Sequence, residues 1–179
     1  MGKLVFAMSQ SLDGYVAAGD GTLHPPDLAL FLHFVEFESL LAGVLYGRRI
    51  YETMRYWDED HSEWEAHERD FATAWRAHPK WVVSRSLKSV GPNAVLVDRD
   101  VETFVRKLKS EINGDIGVAG PELAGSLTKS GLIDEYRLYF RPFVLGSGKP
   151  YFAGAVPALR LVAADRVGDD AVRLTYERT

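Results

Sequence analysis

The chain has 179 residues, enough for one domain that buries roughly 70% of its unfolded surface around a single core. A net charge of −4 and a pI near 5.7 exclude a general nucleic-acid or anionic-membrane surface, which needs clustered positive charge. An anionic ligand must therefore meet a local basic patch. The absence of cysteine excludes disulfides, cysteine nucleophiles and thiolate metal sites, and fits the expectation of a cytoplasmic protein.

Leu4 to Met8 is a short apolar run closed by Ser-Gln-Ser-Leu-Asp-Gly, a buried strand followed by a turn. The start of the chain goes straight into this strand, with no signal-peptide core, and no apolar run approaches the ~18 residues of a membrane span. Asp20-Gly21 and Pro25-Pro26 mark a loop, after which Asp27 can cap a helix from Leu28 to Leu41. That helix is apolar on most faces, and the expectation is deep burial. Val44-Leu45-Tyr46 is a strand with Gly47 at its end, leading into a helix near Arg48 to Tyr56. An acidic stretch, Asp58 to Asp70, precedes a further helix to Ala77; its histidines and carboxylates read as a solvated face rather than a metal cluster.

Trp81-Val82-Val83 and Ala94 to Val97 are strands, and Val101 to Ile112 has helical spacing. Ile116 to Ala119 is a strand feeding a helix that begins near Pro121 and stops before Gly131. Tyr136 to Phe140 alternates, a Gly-rich loop follows at Leu145 to Pro150, and Leu159 to Val162 with Val172 to Tyr176 form a terminal hairpin. Strands alternating with helices predict an α/β fold with a mainly parallel sheet, helices on both faces and an antiparallel edge, in one domain over residues 1–179.

Parallel α/β sheets bind ligands at the carboxyl ends of their strands, where glycines and helix starts expose backbone N–H groups. Three such junctions carry suitable chemistry. Tyr46-Gly47-Arg48-Arg49 places two guanidiniums after a glycine, and Val83-Ser84-Arg85-Ser86 flanks a guanidinium with hydroxyls, a set able to hold a phosphate dianion. Gly117-Val118-Ala119-Gly120-Pro121-Glu122 is a small-residue junction that a pyrophosphate can approach. Neither a G-x-G-x-x-G after the first strand nor a P-loop is present.

These junctions occur in order with Ser11-Leu12-Asp13-Gly14-Tyr15-Val16-Ala17, Leu45 to Glu52, Val83 to Leu87, Gly117 to Leu123 and Pro142-Phe143-Val144-Leu145-Gly146-Ser147-Gly148-Lys149-Pro150. In that register the chain resembles the dihydrofolate-reductase-like superfamily, above all the reductase domain of the bifunctional riboflavin-biosynthesis deaminase-reductase and its stand-alone relatives. The resemblance implies a three-layer sandwich and a metal-free, NADPH-dependent reduction of a small heterocyclic or carbonyl substrate, including 5-amino-6-(5-phosphoribosylamino)uracil. It places Gly47, Arg48 and Arg49 at the adenosine-side phosphates, Ser84 and Arg85 at the 2′-phosphate, and Ala119, Gly120, Pro121 and Glu122 along the pyrophosphate. Ala7, Met8, Val16 and Ala17 would flank the nicotinamide. Relatives of this kind are commonly homodimers.

Two departures stand out: Ile50 where the family has Thr, and Ala119-Gly120 where it has Gly-Gly. They motivate an alternative, a nucleotide-binding member without catalysis. A deaminase half is excluded, because its zinc site needs cysteines. Asp13 either anchors substrate hydroxyls or makes an Asx-turn with Gly14. Asp27 is either the proton donor of a folate- or pterin-type reductase or simply a helix N-cap. Lys149 either meets a substrate phosphate or packs its loop.

Overall fold

The computed structural model describes residues 1–179. Its elements follow the order β1 (Lys3–Gln10), β2 (Tyr15–Ala17), α1 (Leu28–Leu40), β3 (Gly43–Gly47), α2 (Arg48–Met54) and α3 (Ala66–Ala77). Then come β4 (Lys80–Val83), β5 (Ala94–Val97), α4 (Val101–Glu111), β6 (Asp115–Ala119), α5 (Pro121–Lys129), β7 (Glu135–Phe140), β8 (Lys149–Pro150), β9 (Leu159–Val167) and β10 (Ala171–Arg178). A 3-10 turn, Arg55–Asp58, extends α2.

Eight strands form one sheet in the order β5-β4-β3-β6-β1-β7-β10-β9. Every pair from β5 through β7 is parallel, whereas β10 runs antiparallel to both β7 and β9. The predicted fold class is therefore correct, with the terminal hairpin longer than its apolar segments alone indicated. The small antiparallel pair β2–β8 escaped the sequence reading, since three and two residues give no periodicity to count.

Strand alternation sends neighbouring side chains to opposite faces. Leu45 joins Leu4, Phe6, Ile116 and Val118 beneath α4 and α5, which contribute Val105, Leu108, Leu123 and Leu127. Val44 and Tyr46 face the other way, toward Phe71 and Trp75 of α3. The Trp75 indole N–H donates to the Tyr46 hydroxyl at 2.9 Å, which satisfies a buried donor in the second core. Tyr151 ties the segment after β8 to the sheet: its hydroxyl donates to the Phe6 carbonyl at 2.7 Å.

Helix α1 corrects one expectation. Only Leu30 and Glu38 of its residues are buried, and Leu40 is 73% exposed. The apolar composition is real, but an open chamber separates part of the helix from the sheet, so its inner aromatic residues are only half-buried, Phe34 against Tyr139 at 5.0 Å and Phe31 against Phe71 at 5.5 Å, and also border the chamber.

Gly125 shows how tightly the opposite layer is closed. A Cβ there would lie 2.2 Å from the Ala153 carbonyl oxygen, so the helix can pass this backbone only as glycine. In an exposed helix, Gly→Ala gains about 1 kcal/mol. Gly125→Ala should instead lose about 1–3 kcal/mol, read as a lower urea midpoint at unchanged slope.

Candidate functional site

The carboxyl ends of β3 and β6 are adjacent because the strands pair directly, Tyr46 opposite Ala119. Each chain then turns into a helix. Gly120 makes its turn at φ +106°, and a Cβ there would lie 3.3 Å from Ile50 Cγ2 and 3.7 Å from Gly47 Cα. Glycine at 120 thus meets both a left-handed backbone and a close crossing. Around this crossing lies a cleft of about 280 Å³, walled by Gly47, Arg48, Arg49, Gly120, Pro121 and Glu122, with Met8, Val16, Ala17 and Lys149 opposite.

Two of the three junctions chosen from the sequence line this cleft, and the third, Val83 to Ser86, is joined to it through a hydrogen bond. Arg48 donates to the Ser86 hydroxyl at 2.8 Å, which links the turn after β3 to that after β4. Ser84 and Arg85 line neither the cleft nor the chamber. The buried Ser84 hydroxyl accepts from the N–H groups of Ser86 and Leu87 at 3.2 and 3.1 Å, holding the turn that presents exposed Arg85 and Ser86. Both arginines are paired at the surface, Arg49 with Glu122 at 3.3 Å and Arg48 with Glu52 at 3.1 Å, so each cation beside the glycine crossing is partly neutralised.

A second chamber of about 470 Å³ opens off the cleft between α1 and the sheet. Met8, Val16, Leu23, Ile50 and Thr53 border both spaces. Ala7 and Ala119, expected at the cofactor, line this chamber and not the cleft. Its walls are aromatic: Phe31, Phe34, Phe37, Trp57 and Phe71, with Trp57 and Phe71 centroids 4.8 Å apart. The mouth is bounded by the loop before α1, which Arg141 pins by donating to the carbonyls of His24 and Pro25 at 2.8 and 2.7 Å. Lys149 reaches the cleft because Gly148 packs against β2, where a Cβ would lie 2.1 Å from the Ala17 carbonyl oxygen.

Neither aspartate considered for chemistry faces these spaces. Asp13 accepts from the Leu145 and Gly146 N–H groups at 3.1 and 2.7 Å and so fastens the Gly-rich loop. Hydrogen bonding to Ser11 and to those amides holds its carboxyl below the usual range, in the ionised form. Asp27 caps α1, accepting from Leu30 N–H at 2.8 Å, and borders a separate shallow hollow with Asp169 and Asp170.

The chamber's one carboxyl is Glu38, which the sequence reading passed over. It is 8% exposed, and its Oε1 has no hydrogen-bond partner. A signal was available: Phe31, Phe34 and Glu38 sit at i, i+3 and i+7, one face of a helix, so an acid stood in an apolar stripe. Burial pushes this carboxyl up to about 7, opposed by the charge of Lys80. Lys80 is not ion-paired to it; its ammonium donates to the His78 carbonyl at 3.0 Å and lies 4.2 Å over the Trp75 ring.

A folded-state value near 7 against an ordinary 4.5 means the folded protein keeps a proton that the unfolded chain has lost between those pH values. Stability therefore falls as pH rises through that window, and the cost is complete above it. Glu38→Gln should raise the melting temperature at pH ~8, by an amount equivalent to at most about 3 kcal/mol, and leave it nearly unchanged at pH ~5. A Gln variant less stable at the higher pH would show the carboxylate to be well compensated.

Comparison with known proteins agrees with this architecture. Among solved structures, a Shewanella sp. PV-4 protein described as "Putative riboflavin biosynthesis protein" superposes with a TM-score of 0.78 at 23% identity, covering 100% of this chain and 99% of that one. Dihydrofolate reductase from Enterococcus faecalis, complexed with NADP(H) and RAB-propyl, gives a TM-score of 0.68 at 17% identity, covering 99% and 96%. The uncharacterized protein YyaP of Bacillus subtilis (strain 168) is 26% identical over 181 residues, 97% of this chain and 94% of that protein. The family description "RibD C-terminal domain" matches residues 2–173. With the match running through every element from β1 into β10, the chain belongs to the RibD C-terminal domain family.

Proposed function

We propose that this protein is an NADPH-dependent reductase in which the dinucleotide lies along the cleft and a small heterocyclic or carbonyl substrate occupies the adjoining chamber. The carrying observation is the junction itself: a basic, glycine-floored cleft opens directly into an apolar chamber through Met8, Val16, Leu23, Ile50 and Thr53. A dinucleotide fits the cradle, because side chains are missing at Gly47 and Gly120, where a phosphate chain needs close backbone approach. Arg48 and Ser86 supply a donor pair beside it, and the 2′-phosphate is assigned to Arg85, exposed on the same turn as Ser86. The Enterococcus reductase, a structural relative, is complexed with NADP(H), which supports the same cofactor class here.

When bound, the reduced nicotinamide supplies a hydride. The chain's own part is to orient and to exclude water. Met8, Val16 and Ile50 form an apolar collar where the two spaces meet, and the chamber walls keep solvent from the reacting carbon. Ile50 fills the position of a family threonine with carbon, and its methyl packs against Gly120, so the collar is drier than a hydroxyl would make it. The folate- or pterin-type reading loses its motivating residue, since the Asp27 carboxylate caps its helix. The reading without catalysis rests on Ile50 and Ala119 alone.

The family resemblance also suggests a homodimer, and exposed Leu161, Val162 and Val172 on the outer hairpin favour it. Sedimentation at micromolar concentration should give twice the chain mass; a monomer across that range would refute it.

Titration with NADPH, followed by nicotinamide fluorescence, should saturate. Arg85→Ala should weaken NADPH about tenfold while NADH is unmoved, and Arg48→Ala should weaken both. Absence of saturable binding at millimolar cofactor would end the proposal.

A further inference from the structure

The chamber is chemically lopsided. Eighteen of its 25 lining residues are hydrophobic, and neither a lysine nor an arginine is among them. Helix α1 leads from the cleft side toward the amino end of β3, so Glu38, near its last turn, lies at the end of the chamber away from the cofactor cleft. The Oε1 atom there is buried and unpartnered.

Isolated buried carboxylates are costly unless hydrogen-bonded, and native interiors rarely leave them so. The groups facing Glu38 from neighbouring elements do not repair the loss. Neither the Tyr46 hydroxyl of β3, which accepts from Trp75, nor the Lys80 ammonium of β4, which donates to the His78 carbonyl and lies over the Trp75 ring, reaches Oε1, and the ring Nε2 of His78 is itself without a partner. Glu38 lines the chamber, so a donor that enters it can meet this atom.

We infer that the substrate of the proposed reductase is a flat, largely apolar heteroaromatic molecule without a phosphate, lying among Phe31, Phe34 and Trp57 and donating from an N–H edge to Glu38. The inference rests on the reductase reading for its reaction, but the chamber and its acid stand independently of the cofactor. A phosphoribosyl substrate is the poorer fit, because its dianion would meet neither lysine nor arginine in the chamber, where His24 is the one basic side chain. Glu38 anchors and orients: donation to its carboxylate fixes which atom of the ring system reaches the collar.

Three probes separate the possibilities on cofactor-free protein by calorimetry: 2-aminobenzimidazole, which presents a paired N–H edge; 2-methylbenzothiazole, of similar shape with no donor; and ribose 5-phosphate. Wild-type protein should bind the amino probe at least about tenfold more tightly than the methyl probe. Glu38→Gln should bring the two to parity, and ribose 5-phosphate should displace neither. The wild-type comparison needs no variant to fold, and thermal melting checks that Glu38→Gln does. Equal binding of both heterocycles to wild type, no binding of either, or displacement by ribose 5-phosphate would overturn the inference. A parallel NADPH titration keeps the two proposals apart. Saturable NADPH with no discrimination between heterocycles sinks the substrate assignment alone; discrimination lost in Glu38→Gln without any NADPH binding sinks the reductase and upholds the chamber.

Discussion

The crossing of Gly47 and Gly120 is the contact on which the site depends. The two glycines end strands that are neighbours in the sheet though far apart in the chain, and each is followed at once by a helix. At Gly120 a side chain would be strained by the backbone, at φ +106°, and would press on Ile50 at 3.3 Å. Because the two glycines meet backbone to backbone, the floor of the cleft is open to a ligand and the guanidinium of Arg48 is brought beside it. Sheet order does the rest, setting β4 next to β3, so that Ser86 comes within 2.8 Å of Arg48.

An acidic molecule can present a basic groove only by keeping its cations unspent where they are needed. Most surface arginines here are engaged with carboxylates, Arg49 with Glu122 and Arg106 with Glu102 among them. Arg48 also touches Glu52, yet its other arm reaches the Ser86 hydroxyl, a neutral partner that a phosphate oxygen can share. Asp13 works in the opposite sense. Its charge is consumed by two loop amides, which rigidifies the Gly-rich segment that carries Lys149 to the cleft.

The chamber arises from a mismatch between composition and packing. Helix α1 has the apolar content of a core helix but meets the sheet mainly through Leu30 and Phe34, against Tyr139, Val167 and Ala171, and small residues facing the rest of it, Ala7, Gly117 and Ala119, deepen the gap. Gly117 is further constrained, since a Cβ would come within 2.9 Å of Leu41. The aromatic residues of α1 are therefore half-buried, with faces turned to a cavity that a flat molecule can fill. Family membership and chamber chemistry point in partly different directions. The first groups this chain with riboflavin-biosynthesis reductase domains, whereas the second is a poor host for a phosphorylated sugar.

Local chemistry determined much of this protein. The apolar runs of β1, β3, β4 and β6, the Asp27 cap, proline at the start of α5 and the glycine after it are short-range signals that the folded chain uses as read. The strand-end junctions that line the cleft were legible because glycine next to arginine at a strand end is a local pattern with a local cause. Burial of α1 was not legible, because the pattern of a helix reports what it prefers to touch and not how close its partner comes. Nor could residue types alone distinguish Asp27 from Glu38, both carboxylates on one helix: the first is turned onto the helix's own amide, the second into the chamber. That choice belongs to the tertiary structure, since the desolvation that makes one carboxyl unusual comes from side chains on α1, β3 and β4 that meet only after folding.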